Sequence, residues 1–217
     1  MAAGRAAVLA GTNKLEGPPA ETGRWGTSLV LLPTGDLAAL LDSLAHEVAA
    51  VAGAGHWPSG AAGAAHVTIR ALEPYRPDPL DDDAAERYIA AFGRAAAAVG
   101  PITISFRGLA LSVGSVMAWA ESAGGAGDHL RRRFGVELGD DGWLEAGVFP
   151  NGRDAMWYSS ILHFAGPVRD PQELVAWVEA RHHFAIGAET FTSAALCRWT
   201  FNGSAMHPAV VATAALG

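Results

Sequence analysis

His66-Val67-Thr68-Ile69-Arg70 is the stretch on which the reading of this chain turns. Its β-branched Val67, Thr68 and Ile69 favour an extended strand, and in a strand alternate side chains share a face. That alternation puts His66, Thr68 and Arg70 on one side and Val67, Ile69 and Ala71 towards a core. One face then offers an imidazole, a hydroxyl and a guanidinium in a row. Histidine moves protons near neutral pH, while hydroxyl and guanidinium groups donate to the non-bridging oxygens of a phosphate. Taken alone, the triplet favours a strand histidine hydrogen-bonded to a neighbouring loop, so its surroundings have to decide.

Upstream, residues 27–32 form a short apolar run ending at Pro33, as a buried strand does. Leu37, Leu40, Leu41, Leu44, Val48 and Val51 then recur at helical spacing, with Thr34 or Asp36 as the candidate cap. Downstream, the three prolines of residues 73–80 exclude regular structure. An alanine-rich helix follows to about residue 99. Residues 102–106 and 109–120 read as strands, 129–134 as a short helix and 156–165 as another strand. Asp170-Pro171-Gln172-Glu173 supplies a cap, a first-turn proline and a capping-box glutamate for a helix to about residue 181. Residues 191–201 and 208–215, joined at Asn202-Gly203, close the chain as a hairpin.

The order of strands and helices over residues 25–112 recurs over 113–217. It predicts an α+β fold: one bilobal domain of residues 25–217, made of two pseudo-symmetric antiparallel-sheet lobes with outer helices and a central cleft. Residues 1–24 lack sustained periodicity and read as a flexible N-terminal extension.

Composition narrows the function classes. Half of the 217 residues are hydrophobic and 17% are charged, as in a globular chain. No apolar run reaches the roughly 18 residues of a membrane span, and a cytoplasmic location is the expectation. Cys197 is the single cysteine, which excludes an internal disulfide or a thiolate metal cluster. The eight histidines include no pair at helical spacing with a carboxylate, as in His-Glu-x-x-His, so neither a metal nor another cofactor is implied. His182 and His183 read as helix-end cations, and Arg131, Arg132 and Arg133 as a solvated helix face. A net charge of −7 disfavours long nucleic acid as a partner and leaves a small molecule.

The order Ser28-Leu-Val-Leu-Leu-Pro33, a helix, then His66-Val-Thr-Ile resembles the first half of the 2H phosphoesterase (2',5'-RNA ligase-like) family. Residues 102–111, 116–120, 195–201 and 210–216 resemble its later strands. The resemblance implies two His-x-Thr/Ser motifs facing across the cleft. One histidine would act as general base and the other as general acid on a cyclic phosphate or a 2',5'-phosphodiester, such as that of a nucleotide. The hydroxyls would bind the phosphate, and no metal would be needed.

The second motif departs from that pattern. Met156-Trp-Tyr-Ser-Ser-Ile-Leu-His-Phe-Ala165 occupies the expected strand without a His-x-Thr or His-x-Ser. In one register Tyr158 stands for the histidine and Ser160 supplies the hydroxyl; in the other the histidine is His163 and Ala165 leaves the hydroxyl missing. Distance to the following helix favours Tyr158 and Ser160, and unbroken alternation would then send His163 inward with Trp157, Ser159 and Ile161. Tyrosine, with an ordinary pKa near 10, donates a proton at neutral pH more readily than it accepts one. Tyr75 and Arg198, with Arg70, are the further candidates for substrate contacts, and Trp119, Trp157 and Trp199 for a stacking pocket or core packing. Three functions remain open: a hydrolase for a small phosphate ester, the same scaffold turned to non-phosphate chemistry in a specialised pathway, and a nucleotide-binding module without turnover.

Overall fold

The computed structural model describes residues 2–17, 24–73, 82–139, 156–201 and 206–217. In chain order the elements are α1 (Ala2–Ala10), β1 (Arg24–Leu31), α2 (Gly35–Ala52), β2 (Trp57–Pro58), β3 (Val67–Ala71), α3 (Asp82–Ala96), β4 (Ile102–Leu111), β5 (Ser115–Ser122), α4 (Ala126–Leu138), β6 (Trp157–His163), α5 (Pro171–Glu179), β7 (Gly187–Phe191), β8 (Ser193–Phe201) and β9 (Met206–Ala215). Among the described residues the strands form two sheets, ordered β3-β1-β8-β9 and β2-β6-β5-β4-β7, and every pairing is antiparallel.

The two sheets are built on one plan. Leaving aside the two-residue β2, the order β3-β1-β8-β9 maps onto β6-β5-β4-β7, with β3 matching β6 and β1 matching β5. The helices follow the same correspondence. In one layer α3 and α4 pack on each other and on the first sheet's strands; in the other α2 packs with α5 and against β6. The α+β architecture with two antiparallel sheets is therefore the one the sequence predicts. The division into lobes of residues 25–112 and 113–217 is not: the first sheet takes β1 and β3 from one half of the chain and β8 and β9 from the other. Element order records the repeat but not which strands exchange places.

Local sequence accounts for most elements. In α2, Leu37, Leu41, Leu44, Ala45, Val48 and Ala52 are buried along one stripe. Thr34 stands at its N-cap position but makes no side-chain cap; its hydroxyl donates instead to Glu189 Oε1 at 2.7 Å, tying the helix start to β7. The start of α5 is as the capping box predicts. Asp170 Oδ1 accepts from the backbone N–H groups of Gln172 and Glu173, both at 3.0 Å, and Leu174, Val175 and Val178 face inward.

Three expectations are corrected. Ala2–Ala10 is a helix docked on α5 and β4, with Val8 fully buried. Its contact depends on one buried valine and on Gly4, whose missing side chain brings the backbone against Leu111, so no amphipathic stripe announces it. Residues 102–111 are one strand with an irregularity between Phe106 and Gly108, and the turn to β5 falls at 112–114. Arg131 is buried: its Nε donates to Ile69 O at 2.9 Å, and its guanidinium lies 3.8 Å from the Trp157 ring centroid. The Asn202-Gly203 turn lies outside the described residues.

Candidate active site

A second apolar cluster, separate from the main core, joins the two sheets. It holds Val30 of β1, Trp57 of β2, Ala195, Cys197 and Trp199 of β8, and Met206 of β9, with Ala165 beyond the end of β6 packed against it. The side of each motif strand that meets this cluster is the cleft side. On β3, Thr68 pairs with Val30 and so shares its face. His66, two residues earlier, puts its ring 4.0 Å from that of Trp199. Its Nδ1 lies 2.9 Å from the carbonyl oxygen of Ala64. A carbonyl can only accept, so Nδ1 carries the proton and Nε2 is the basic nitrogen of the neutral ring.

The alternation breaks immediately after Thr68. Thr68 pairs with Val30 but Arg70 with Leu29, which makes Ile69 the extra residue of a β-bulge. Arg70 therefore takes the side of Leu29, a main-core residue. Its Nη1 lies 2.7 Å from where a Cβ on Gly135 of α4 would sit. The structure does not bring Arg70 to the face of His66 and Thr68.

The same irregularity recurs on β6. Ser160 pairs with Met117 but Leu162 with Val116, so Ile161 is the extra residue. Trp157, Ser159, Ile161 and Leu162 are buried, and Tyr158 and Ser160 are half-buried on the other face, beside Trp119 and Met117 of β5. Matching the bulges superposes Ile161 on Ile69, Ser160 on Thr68 and Tyr158 on His66. The bulge also changes the fate of His163. Its ring stacks on Trp57 at 4.3 Å with 5° between planes, so it meets the cleft cluster rather than the interior where unbroken alternation would send it. Burial is the main cause that pushes its pKa down to about 4, with smaller contributions from His66 and Lys14. It is neutral near pH 7, and the 3.9 Å approach of Glu16 Oε2 is then no ion pair.

Crystal structures of other proteins share this fold. TT0787 of Thermus thermophilus aligns with a TM-score of 0.63 at 15% identity, over 89% of this chain and 97% of its own. E. coli LigT complexed with 3'-AMP gives 0.61 at 11% identity, over 89% and 98%. A structure described as a phosphoesterase gives 0.58 at 13%, over 89% and 98%. The chain has a LigT-like fold. No protein-family model matches the sequence, and no curated protein does.

Within this LigT-like fold the remaining candidates fall into place. Cys197 and Trp199 face the cleft cluster, so Arg198 between them projects from the opposite side, where its partner Thr27 donates to Glu73 at 2.7 Å. Tyr75 lies outside the described residues. Of the three tryptophans, Trp199 borders His66 and Trp157 packs in the core. Trp119, half-buried, donates from Nε1 to His182 O at 3.0 Å. The sequence reading missed Trp57, whose only signal was a lone aromatic in a Gly/Ala/Pro-rich loop. It also missed Glu16, whose carbonyl accepts from Trp57 Nε1 at 2.8 Å and which no motif marks. Burial pushes the Cys197 thiol up to about 11, which removes it as a nucleophile at neutral pH. Among the described residues no helix is long and apolar enough to cross a membrane.

Proposed function

We propose that the chain is a 2H-type hydrolase of a small phosphate ester, a nucleoside 2',3'-cyclic phosphate or a 2',5'-phosphodiester, working by proton transfer between His66 and Tyr158. The observation that carries this is the pair of matched bulges after Thr68 and Ser160. They support reading Tyr158 as the counterpart of His66 on the same plan of strands. In the proposed reaction, Nε2 of His66 takes a proton from water as its oxygen attacks phosphorus. The Tyr158 hydroxyl gives its proton to the departing sugar oxygen, and Thr68 and Ser160 donate to the non-bridging oxygens. Solvent then returns the proton from His66 to Tyr158. E. coli LigT has been crystallised with 3'-AMP and with phosphate, which supports a small nucleotide as ligand.

The test is hydrolysis of adenosine 2',3'-cyclic phosphate and of a 2',5'-linked dinucleotide by the purified chain. Turnover that disappears in His66→Ala is expected, and no turnover of either compound would sink the proposal. A second reading, non-phosphate chemistry on this scaffold, is favoured by the apolar cleft cluster around Trp57 and Trp199. Calorimetric titration separates it: failure of inorganic phosphate and the cyclic nucleotide to bind would favour it. Binding without turnover would point to a nucleotide-binding module.

A further inference from the structure

His66 is gripped from two sides. One is the Nδ1–H bond to Ala64 O at 2.9 Å. The other is the indole of Trp199, which covers the ring at 4.0 Å with 35° between planes. Trp199 is itself anchored: only 5% of it is exposed, and its Nε1 donates to Ser28 Oγ at 2.8 Å. Ser28 is buried as well. The chain of contacts therefore runs from β1 to β8 to the start of β3, across three elements whose spacing the sheet fixes. With one face against His66 and almost no exposed surface, the indole has little area left to offer a ligand.

We propose that Trp199 is a positioning residue. Anchored by Ser28, it fixes the plane of the His66 ring so that Nδ1 stays bonded to Ala64 O and Nε2 is the nitrogen offered as base. The kinetic part of this inference rests on the acid–base role proposed for His66; the structural part does not. A ring released from this contact can turn about its side-chain torsions, lose the bond to Ala64 O and populate both neutral tautomers. Catalysis that depends on a positioned base then falls through kcat, because orientation at the reacting centre is lost while ligand contacts elsewhere persist.

The experiment follows the imidazole 15N shifts of His66 in the neutral ring, assigned by their loss in His66→Ala. Hydrolysis of adenosine 2',3'-cyclic phosphate is measured in parallel. Wild type is expected to show the Nδ1–H pattern. Ser28→Ala, which removes only the anchor, should mix the two tautomers and lower kcat about tenfold with KM little changed; Trp199→Leu should lower it about a hundredfold. Trp199→Phe, which keeps an aromatic face without the N–H, should resemble Ser28→Ala. If Trp199→Leu does not fold, Ser28→Ala and Trp199→Phe decide. An Nε2–H pattern in wild type, or an unchanged Nδ1–H pattern in the folded variants, overturns the proposal. So does a rise in KM at constant kcat, which would make Trp199 a ligand platform instead. Absence of wild-type turnover would count against the hydrolase reading, while the 15N pattern would still decide the positioning role.

Discussion

Three side chains of the candidate site differ in what they can do with a proton, and each difference is measurable. His66 keeps a basic Nε2 because Nδ1 is committed to Ala64 O. Tyr158 carries a phenol that can donate, and His163 is half-buried, stacked on Trp57, with its pKa pushed down to about 4. Under the proposed mechanism His66→Ala abolishes turnover. Tyr158→Phe, which removes one oxygen, keeps the thermal midpoint and loses about 10²–10⁴-fold in kcat. His163→Ala should act the other way, lowering stability by about 1–3 kcal/mol through the lost stack and the polar groups left behind, with activity less affected. Turnover and midpoint measured on all three variants decide. A folded but dead His163→Ala beside an active Tyr158→Phe would make His163 the second catalytic histidine. The depressed pKa of His163 also sets a pH dependence. Between the ordinary 6.5 and about 4 the unfolded chain binds a proton that the folded chain refuses. This group's contribution is therefore flat above pH 6.5 and grows unfavourable as pH falls, to on the order of 3 kcal/mol near pH 4. In His163→Gln the loss of stability on acidification between these limits should be shallower by about one proton. An identical slope in denaturant titrations at pH 6.5, 5.5 and 4.5 would rule this out.

At the scale of elements, glycines mark where backbones must approach more closely than a side chain permits. Gly108, at the irregularity of β4, faces the carbonyl of His182, and a Cβ there would collide with that oxygen. The approach is used: Leu109 N donates to Arg181 O at 2.9 Å, and His182 Nδ1 donates to Leu109 O at the same distance. Gly108→Ala should push the turn after α5 off β4 and cost about 1–3 kcal/mol, read as a lower midpoint with faster amide exchange at Leu109. Unchanged exchange there would contradict the contact. This glycine also shows where the sequence was legible and where it was not. Helix α5 could be read to its first residue because a cap is local chemistry written in four consecutive side chains. The bulges at Ile69 and Ile161 could not, because a bulge is a mismatch in length between two strands far apart in sequence. Missing them left Arg70 on the wrong face and His163 on the wrong side. The positions before each bulge, His66, Thr68, Tyr158 and Ser160, kept the alternation that the sequence predicts.

The whole molecule repeats one plan twice, and that plan assigns Tyr158 a more definite place than sequence spacing could. The topology equates β3-β1-β8-β9 with β6-β5-β4-β7, and the bulges set the register of the comparison to a single residue, with Tyr158 on His66 and Ser160 on Thr68. A histidine at 158 would then occupy the counterpart of the one at 66, giving the cleft the two-imidazole arrangement that the family resemblance implies. The neighbourhood can take it. Position 158 is half-buried on the face opposite the core residues Trp157 and Ile161. Its cross-strand neighbour Trp119 is fixed by its bond to His182 O. An imidazole is also smaller than a phenol, so no backbone shift is required. An imidazolium near neutral pH is a stronger general acid than a phenol and becomes available over a narrower pH range. Tyr158→His should therefore raise kcat on adenosine 2',3'-cyclic phosphate by about tenfold or more near pH 6–7. It should also turn a rate that rises with pH into a bell, its descending limb marking loss of the new proton. The double variant His66→Ala with Tyr158→His should be inactive, since an acid without a base leaves the attacking water unactivated. The measurement is the pH–rate profile of the three proteins, with thermal midpoints as a control for folding. A Tyr158→His protein that folds as well as wild type yet is slower at every pH, with no descending limb, would mean that position 158 does not face the reacting phosphate. The equivalence of the two motif strands would then be one of architecture and not of chemistry.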